Sequence, residues 1–350
     1  MFNFKKLYYD PRIFKYDYGQ QLFDKYKHLE KYEIKTHWQV PEINRDETNK
    51  SKWMKIKSQV LILGIKSGLK VQCGSRSCDF GTFSPCHGCP MACSYCYVAR
   101  TKGYANPVTI FANIDRVISK TLEHASSVPK KTTPTQADPN FWIYDIGGHS
   151  DPSIDAILSE KVQTYIHEFS KLKNSKLTFS TKYVNNNMLS YNPKHRTRIR
   201  ISLMPQYMAS LVDLRTSKII DRINVINDFY EAGYDVDINL APVIIYKGWK
   251  SDYLNLIKLI NSKLKSKVKK QLNIEVIFLT HNEWLHNINM SWHPKAEQYL
   301  WQPEVQCKKI SQMSRQVNYK YRIAYKRPAL EYLTSLLSAH MPYASIRYAF

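Results

Sequence analysis

The sequence predicts an α/β protein that folds as a partial, open β/α barrel of about six βα units. With 350 residues, the chain is long enough for one large α/β domain. Apolar runs at 60–65 and 240–246 have the length of buried strands. From residue 141 onwards, strand-like and helix-like patterns alternate, which favours a parallel sheet with crossover helices. Eight full units are not visible, so an open barrel fits better than a closed one.

The individual elements follow from the apolar period and the turn residues. An N-terminal extension, 1–58, contains a strand or two, a helix around 20–32 and a polar connector at 39–52. The predicted barrel covers 59–282, and a C-terminal extension, 283–350, closes it. The predicted barrel strands are 59–65, 141–146, 177–180, 198–203, 236–245 and 275–280. The predicted helices are 109–127, 153–170, 216–232 and one that begins near 252, and 127–140 is a Pro- and Thr-rich surface loop.

The charge balance favours a polyanionic partner. The chain has 51 Lys and Arg against 29 Asp and Glu, a formal net charge of +22. Such an excess supports binding to nucleic acid, although a generally basic composition without that ligand is the alternative. Basic and aromatic residues interleave at 319–327, and basic residues also cluster at 194–200. We expect a nucleic-acid partner, DNA in particular, and a rim for it at 319–327.

The location of the protein is also constrained by composition. No run of about 18 apolar residues occurs, so no membrane-spanning helix is predicted. The N-terminus lacks the pattern of a signal peptide, and the number of cysteines is odd. We therefore expect a cytoplasmic protein whose thiols stay reduced.

Four of the seven cysteines lie in one short loop, at Cys86, Cys89, Cys93 and Cys96. Cysteine thiolates at such spacings hold iron-sulfur clusters. A structural zinc site usually takes two ligand pairs from separate stretches, which this loop does not offer. Three thiolates on a cubane cluster leave one iron open to another ligand. We expect a cluster, with zinc, free thiols or disulfides as the alternatives.

The spacing Cys89-x3-Cys93-x2-Cys96, with Tyr95 before the last cysteine, resembles the motif of the radical S-adenosylmethionine (SAM) superfamily. Most of the chain is also similar to the spore photoproduct lyase family, in a spore-photoproduct-lyase-like branch. The segments that carry this similarity are 95–100, 103–107, 150–152, 180–182, 201–203, 215–216, 221–223, 231–234, 241–246 and 248–249.

The resemblance implies an activity and its cofactors. Enzymes of this family use a 4Fe-4S cluster and SAM to generate a 5′-deoxyadenosyl radical and repair a thymine dimer of spore DNA. A radical SAM lyase that acts on a DNA base or thymine photoproduct is therefore expected, with an external one-electron reductant such as flavodoxin or ferredoxin. One alternative is a radical SAM enzyme that modifies a peptide, a tRNA or a small metabolite. Another is a non-catalytic nucleic-acid-binding protein with a structural metal centre. The sequence does not predict an oligomeric state.

The same resemblance implies the site residues. Cys89, Cys93 and Cys96 ligate the cluster, and Tyr97 packs beside SAM. The implied SAM-binding positions are Tyr97, Gly147, Gly148, Ser150, Lys182, Ser202 and Ala241. Lys182 can neutralise the SAM carboxylate, and glycine lets backbone approach the methionine amino group.

Three residues are implied in catalysis. Tyr95 and Tyr97 match the family's radical relay. His149 lies next to the implied radical site, where it can position a substrate phosphate or protonate an intermediate. Gly148 departs from the family, whose members have a hydrogen-donating cysteine there; a substitute donor such as Cys86 is then needed.

The remaining cysteines and histidines carry weaker expectations. Cys73 and Cys78 are expected to be unrelated thiols, with an auxiliary cluster that includes Cys86 as the alternative. Cys307 is expected to be structural. His281, His286 and His293 are expected to be hydrogen-bonded rather than metal ligands.

Overall fold

A computed structural model describes residues 2–41, 50–74, 76–96, 98, 102, 105–310 and 317–350. The chain forms two compact units. The first comprises Met1–Met91, Cys96–Ile199 and Ala232–Tyr234, and the second comprises Ala92–Tyr95, Arg200–Glu231 and Asp235–Phe350. The cysteine loop therefore contributes residues to both. Within the described ranges, no helix has the length and apolar character needed to cross a membrane.

The first unit contains two sheets. Its strands are β1 (Lys6–Tyr9), β2 (Glu30–Glu33), β3 (Val60–Gly64), β4 (Gln72–Cys73), β5 (Phe80–Gly81), β6 (Cys86–His87), β7 (Thr109–Phe111), β8 (Trp142–Asp145), β9 (Ser175–Thr181) and the first residues of β10 (Thr197–Leu203). Its helices are α1 (Asp17–Lys25), α2 (Lys50–Gln59), α3 (Ile114–Ser127), α4 (Pro152–Leu158) and α5 (Lys161–Phe169).

The order of these strands places the start of the cysteine loop. One sheet has the order β2-β1-β3-β7-β6, in which β6 is antiparallel to β7 and the other pairs are parallel. The second sheet of this unit has the order β10-β9-β8-β5-β4, with β8 parallel to β9. The cysteine loop begins at β6, on the edge of the first sheet.

The second unit continues the alternation of strands and helices. Its strands are the rest of β10, β11 (Asp235–Val243), β12 (Asn273–Phe278), β13 (Thr280–His281), β14 (Gln306–Ile310), β15 (Val317–Tyr321) and β16 (Ser345–Ala349). Its helices are α6 (Gln206–Val212), α7 (Ile219–Glu231), α8 (Trp249–Lys263), α9 (Ser266–Lys269), α10 (Glu283–Trp292), α11 (Pro294–Leu300) and α12 (Ile323–His340). The strand orders are β16-β12-β11-β10 and β13-β15-β14.

The strands follow the pattern that buried parallel sheets require. All residues of β3 and β10 are buried, as expected for strands covered on both faces. Each fully buried aliphatic side chain contributes about 1.5–3 kcal/mol. The sheets are therefore rigid supports for the loops at the carboxyl ends of their strands. Gly147–Ser150 follow β8 and Lys182 follows β9, whereas Ser202 and Ala241 lie within β10 and β11.

The predicted strands are present, but several helix assignments were wrong. The segment 20–32 is not one helix, because α1 ends at Lys25 and β2 occupies Glu30–Glu33. Residues 109–127 begin with strand β7, and only α3 is helical. The helix expected at 153–170 is interrupted at Ser159, whose backbone is extended (φ −145°).

The segment 59–65 forms a strand, but not the one expected. As β3 it pairs with β1 and β7 in the N-terminal sheet, rather than with the strands that precede Gly147 and Lys182. The N-terminal extension supplies β1 and β2, so this apolar run has partners of its own. Much of the polar connector, 42–49, lies outside the described residues.

Candidate active site

The first part of the cysteine loop is fixed by backbone contacts in the first unit. After β6, the Gly88 N–H donates to the His149 carbonyl at 2.9 Å. Gly88 has φ +93°, and a Cβ added there would lie 2.9 Å from the Asn106 carbonyl oxygen. Only glycine adopts this positive φ and fits beside the Asn106 carbonyl oxygen without strain. The loop is thus held against the segment that follows β8.

The second unit fixes the middle of the loop in the same way. The Ala92 N–H donates to the Leu214 carbonyl at 3.0 Å, and the Ser94 N–H donates to the Val212 carbonyl at 2.9 Å. The Asn289 side-chain amide donates to the Ser94 carbonyl at 2.7 Å. The residues on both sides of Cys93 are therefore hydrogen-bonded to the rest of this unit.

Tyr95 is anchored through its phenol. The hydroxyl donates to the Asp213 carboxylate. Asp213 also accepts from the Arg222 guanidinium at 3.1 Å, and Arg222 is itself buried. A buried ion pair thus determines where the Tyr95 oxygen lies. Tyr97, the other expected relay residue, lies outside the described residues.

The cysteines of the loop suit a thiolate-bound cluster. None of the seven cysteines forms a disulfide. Cys89 and Cys93 are buried and Cys96 is half-buried. Three thiols within eight residues, on a backbone that is already hydrogen-bonded, form a donor set that soft metal centres prefer. The donor chemistry thus fits an iron-sulfur cluster on Cys89, Cys93 and Cys96.

Cys86 has a different environment. Its side chain is buried against Asp155, to which the thiol is hydrogen-bonded. Burial and the nearby carboxylate raise the pKa of this thiol well above its usual value. A thiol that resists ionisation is a poor metal ligand. That Cys86 is not a cluster ligand stays a prediction, which this environment favours.

Asp155 is the centre of a buried network of neutral donors. The Ser84 hydroxyl and the Ser150 hydroxyl, the latter at 2.5 Å, both donate to its Oδ2 atom. Burial raises the pKa of Asp155 to about 7, although the hydrogen bonds from Ser150, Ser84 and Cys86 oppose the rise. The nearby Asp151 carboxylate adds to it. Ser150, an expected SAM contact, therefore donates its hydroxyl proton within the protein.

Asp151 connects this network to the next strand. Its carboxylate accepts from the Thr181 hydroxyl at 2.7 Å and from the Lys182 backbone N–H at 3.0 Å. It also caps α4 by accepting from the Ser153 N–H at 3.1 Å. Two expected SAM-binding positions of the first unit, Ser150 and Lys182, are thereby held to adjacent carboxylates.

The glycine pair offers backbone and open space. The Gly147 N–H donates to Asp145 Oδ1 at 2.6 Å, and an added Cβ would lie 3.3 Å from Phe179. A Cβ added at Gly148 would meet nothing within 4 Å. The next residue, His149, is exposed as a whole, but the protein atoms around its ring partly desolvate it and, together with the Lys66 charge, lower its pKa.

The other SAM-binding candidates lie in the second unit. Ser202 is buried, and its carbonyl accepts from the Arg222 guanidinium at 2.9 Å. Ala241 precedes Pro242 through a cis peptide bond within β11. Each candidate therefore sits on a strand of this unit.

A second buried carboxylate, Glu297, lies in the C-terminal extension. The His281 Nε2 atom is 3.1 Å from both of its oxygens, and the His286 Nδ1 atom is 2.7 Å from Oε2. Asn289 donates to Oε1 at 2.6 Å. Burial alone would raise the pKa of Glu297, but the hydrogen bonds and charge of these partners hold it below its usual value. The ligand atoms of the three ionisable groups lie within 4.8 Å of one another, as in a metal site. In this structure both imidazoles are hydrogen-bonded to the carboxylate.

Two arginines of the basic segment 194–200 form structural ion pairs. Arg198 is buried and pairs with Asp138. Arg200 is buried and lies 3.6 Å from Glu275. These two guanidinium groups are therefore not a surface for nucleic acid. The sequence could not show this, because the acidic partners lie far away along the chain.

The predicted rim at 319–327 is mixed. Tyr319 and Tyr321 are buried, and the Tyr321 hydroxyl accepts from the Ile245 N–H at 2.9 Å. Arg322 and Tyr325 are exposed at the start of α12. The exposed part of this segment is therefore smaller than its sequence suggests.

The other cysteines are dispersed in the described structure. Cys78 packs with Ala137 and Ile143 in a small core. Cys73 is exposed and Cys307 is half-buried in β14. Among the described residues, no set of these cysteines converges as a metal-binding group.

Sequence reasoning missed Asp155, Glu297 and Asn289. Two of them have distant partners, since Ser84 is 71 positions from Asp155 and Ser94 is 195 positions from Asn289. The partners of Glu297 are closer, 8–16 positions away, but lie on other elements or an adjacent helix. A weak signal was available for Asp155, because Asp151-Pro152 is a typical helix start and places residue 155 in the first turn.

The sequence and the fold are both similar to those of known proteins. The sequence profile described as spore photoproduct lyase matches residues 2–350. The spore photoproduct lyase of Bacillus subtilis is 26% identical over 275 residues, 77% of each chain. That of a Geobacillus species is 24% identical over 349 residues, 98% of each chain. A solved structure of a spore photoproduct lyase mutant with bound AdoMet and dinucleoside spore photoproduct has a TM-score of 0.87 at 20% identity, and the match covers 100% of this chain and 99% of that one. The predicted α/β partial barrel is thereby confirmed.

Proposed function

Because the chain belongs to the spore photoproduct lyase family, we propose that it acts on a thymine photoproduct in DNA and separates the joined bases. Family membership confirms the predicted enzyme class, a radical SAM lyase, and its two cofactors, a 4Fe-4S cluster and SAM. The observation that carries the substrate proposal is the match of the family profile over residues 2–350. Neither a peptide, tRNA or small-metabolite substrate nor a non-catalytic role has comparable support.

Cys89, Cys93 and Cys96 would hold the cluster. When bound and reduced, the cluster would supply the electron for reductive cleavage of SAM. The protein fixes the loop through the backbone hydrogen bonds of Gly88, Ala92 and Ser94. Because these bonds are independent of the cysteine side chains, the loop is preorganised for its ligand.

Six described positions are proposed to bind SAM, as family membership implies. These are Gly147, Gly148, Ser150, Lys182, Ser202 and Ala241. Ser150 donates to Asp155, so its oxygen lone pairs remain available to accept from a ribose hydroxyl or an ammonium group. Lys182, whose backbone is tied to Asp151, would meet the SAM carboxylate. Tyr97 is proposed to pack beside SAM.

We propose that Tyr95 returns hydrogen to the product: its O–H bond breaks, the hydrogen atom goes to the thymine radical, and the tyrosyl radical regains an electron from the external reductant and a proton from solvent. Gly148 offers no thiol, and Cys86 is 1% exposed with its thiol directed to Asp155. Tyr95, by contrast, is half-buried, and its hydroxyl is bonded to Asp213. Turnover in D2O tests this, because an O–D or S–D donor leaves deuterium in the thymine product. Tyr95→Phe should lower that deuterium content and Cys86→Ala should not; the reverse result contradicts the assignment.

The activity itself is tested with irradiated DNA. The cluster is reconstituted under anaerobic conditions, reduced with dithionite and incubated with SAM and DNA that contains spore photoproduct. Loss of photoproduct with formation of 5′-deoxyadenosine, measured by mass spectrometry, is the expected result. Cleavage of SAM without loss of photoproduct would show a radical SAM enzyme with another substrate.

The physiological setting is proposed on chemical grounds. A low-potential cluster needs an external one-electron reductant, for which flavodoxin or ferredoxin is suitable. Cluster thiolates must stay reduced, which supports a cytoplasmic location. Replacing dithionite with reduced flavodoxin should support SAM cleavage.

A further inference from the structure

A set of cationic and aromatic side chains surrounds His149 in the first unit. The Lys66 ammonium lies 3.7 Å from the centre of the Phe83 ring, and that ring is 5.7 Å from His149. The His149 ring is 5.5 Å from His87, which is 5.5 Å from Trp38. We propose that these five residues, the basic aromatic patch, bind a phosphate of the DNA substrate and stack on a neighbouring base. The inference rests on the proposed function and adds a substrate contact to it.

Lys66 is held in a position that suits anion binding. Its backbone is clamped by the Asn113 side chain, which accepts from the Lys66 N–H and donates to the Lys66 carbonyl, both at 2.8 Å. Its side chain lies along Phe83 and reaches within 5.6 Å of the Phe111 ring centre. A cation held in this way loses little conformational freedom when an anion binds.

A second lysine lies close to the patch. This residue, Lys102, is buried, and its ammonium lies 5.2 Å from the Trp38 ring centre and is bonded to the Thr109 hydroxyl. Burial and the Lys66 charge lower the pKa of Lys102 to about 7, so Lys66 is the main cation of the patch at neutral pH. Burial also lowers the pKa of Lys66, and an anion bound beside its ammonium would stabilise the charged form.

An orphaned imidazole atom supports the same conclusion. His87 is buried, and its Nε2 atom has no hydrogen-bond partner within the described part of the chain. A buried polar atom without a partner usually indicates a missing ligand or water. Phosphate oxygens would accept from the neighbouring Lys66 ammonium and from a ring N–H.

The aromatic members favour a nucleotide over free phosphate. Trp38 is 51% exposed and His149 is also exposed, so solvent and a ligand can reach both residues. Bases stack on such rings while the backbone phosphate meets the adjacent cation. The patch adjoins Gly148, where an added Cβ would meet no described atom within 4 Å apart from its chain neighbours, so open space lies beside the patch.

The test compares two forms of the photoproduct that differ only in the linking phosphate. Binding of the dinucleoside and of the dinucleotide is measured by calorimetry with cluster-loaded, full-length enzyme. We expect the dinucleotide to bind about tenfold more tightly at low salt. Lys66→Gln should remove that advantage, whereas Lys70→Gln, at an exposed lysine four positions away, should keep it.

The outcomes separate this inference from the activity. Equal affinity of the two forms for the wild-type enzyme overturns the phosphate site, and conversion of the dinucleoside would then leave the proposed function intact. Competition by inorganic phosphate alone, with no effect of Trp38→Ala, overturns the stacking part. Binding of neither form contradicts both the inference and the proposed function.

Discussion

Asp155 and Glu297 are two buried carboxylates that hold parts of the same cysteine loop and have opposite ionisation behaviour. Asp155, in the first unit, accepts from the hydroxyls of Ser84 and Ser150, and its pKa is raised to about 7 by burial. Glu297, in the second unit, accepts from two imidazoles and Asn289, and its pKa is lowered. Neutral hydroxyl donors do not offset the cost of burying charge, whereas imidazoles do. Asp155 can therefore be protonated near neutral pH, whereas Glu297 stays ionised.

The largest expected effect concerns the cysteines that these carboxylates support. Cys93→Ala should abolish both the brown cluster and reductive SAM cleavage, because a proposed ligand is lost. Cys86→Ala should keep both, since that thiol is directed to Asp155. Iron and sulfide content with an anaerobic SAM-cleavage assay measures this. A cluster that persists in Cys93→Ala and disappears in Cys86→Ala would contradict the ligand assignment.

Removal of Glu297 should be the most damaging change to stability. Glu297→Ala leaves His281, His286 and Asn289 without their shared acceptor in a buried site. We expect a loss of about 3 kcal/mol or more in the free energy of unfolding, measured by urea denaturation. Glu231→Ala is the matched control, because its ion pair with Lys265 is exposed and should contribute little. Equal effects of the two substitutions would show that the Glu297 network is not a support.

Asn289 should have a smaller effect that is focused on the loop. Asn289→Ala removes donors to the Ser94 carbonyl and to Glu297, at a cost of about 1–3 kcal/mol. Because Ser94 follows Cys93, the cluster should also be lost about tenfold faster to a chelator. Asn282→Ala, which removes the cap of α10, is a control for helix stability alone. A chelation rate that is the same in both variants argues against positioning by Asn289.

The last effect concerns the pH dependence of stability. Asp155 has a folded-state pKa of about 7, above its unfolded value near 3.8, so the folded state binds more protons between these values. Its contribution to stability should therefore fall as the pH rises through this window, by about 1.4 kcal/mol per unit. Asp155→Asn should remove that slope, measured as the difference in unfolding free energy between pH 5 and 7. Glu297 has the opposite sign: its contribution is present above its unfolded pKa and is lost as the pH falls through its lowered folded value. An unchanged slope in Asp155→Asn would contradict the comparison.

The sequence predicted the fold class and the cysteine loop, because these features are local. Apolar runs such as Val60–Gly64 and the closely spaced cysteines are visible without knowledge of the fold. The break of the long predicted helix at Ser159 was missed. There the hydroxyl is hydrogen-bonded to Tyr18, 141 positions away, and no local pattern shows that contact.

The carboxylate networks could not be predicted for the same reason. A buried acid is recognised by its partners, and those of Asp155 and Glu297 come from other elements. The charge pattern was misleading at Arg198 and Arg200, since their acidic partners are also distant. Whether such a charged residue lies on the surface or forms a buried ion pair depends on partners that are distant along the chain.

The most direct test of the proposed activity follows hydrogen between substrate and cofactor. Dinucleotide spore photoproduct with deuterated thymine bases is incubated with the reduced, cluster-loaded enzyme and unlabelled SAM. We expect deuterium in 5′-deoxyadenosine together with released thymidylyl-thymidine, both measured by mass spectrometry. Unlabelled 5′-deoxyadenosine with intact photoproduct would contradict it.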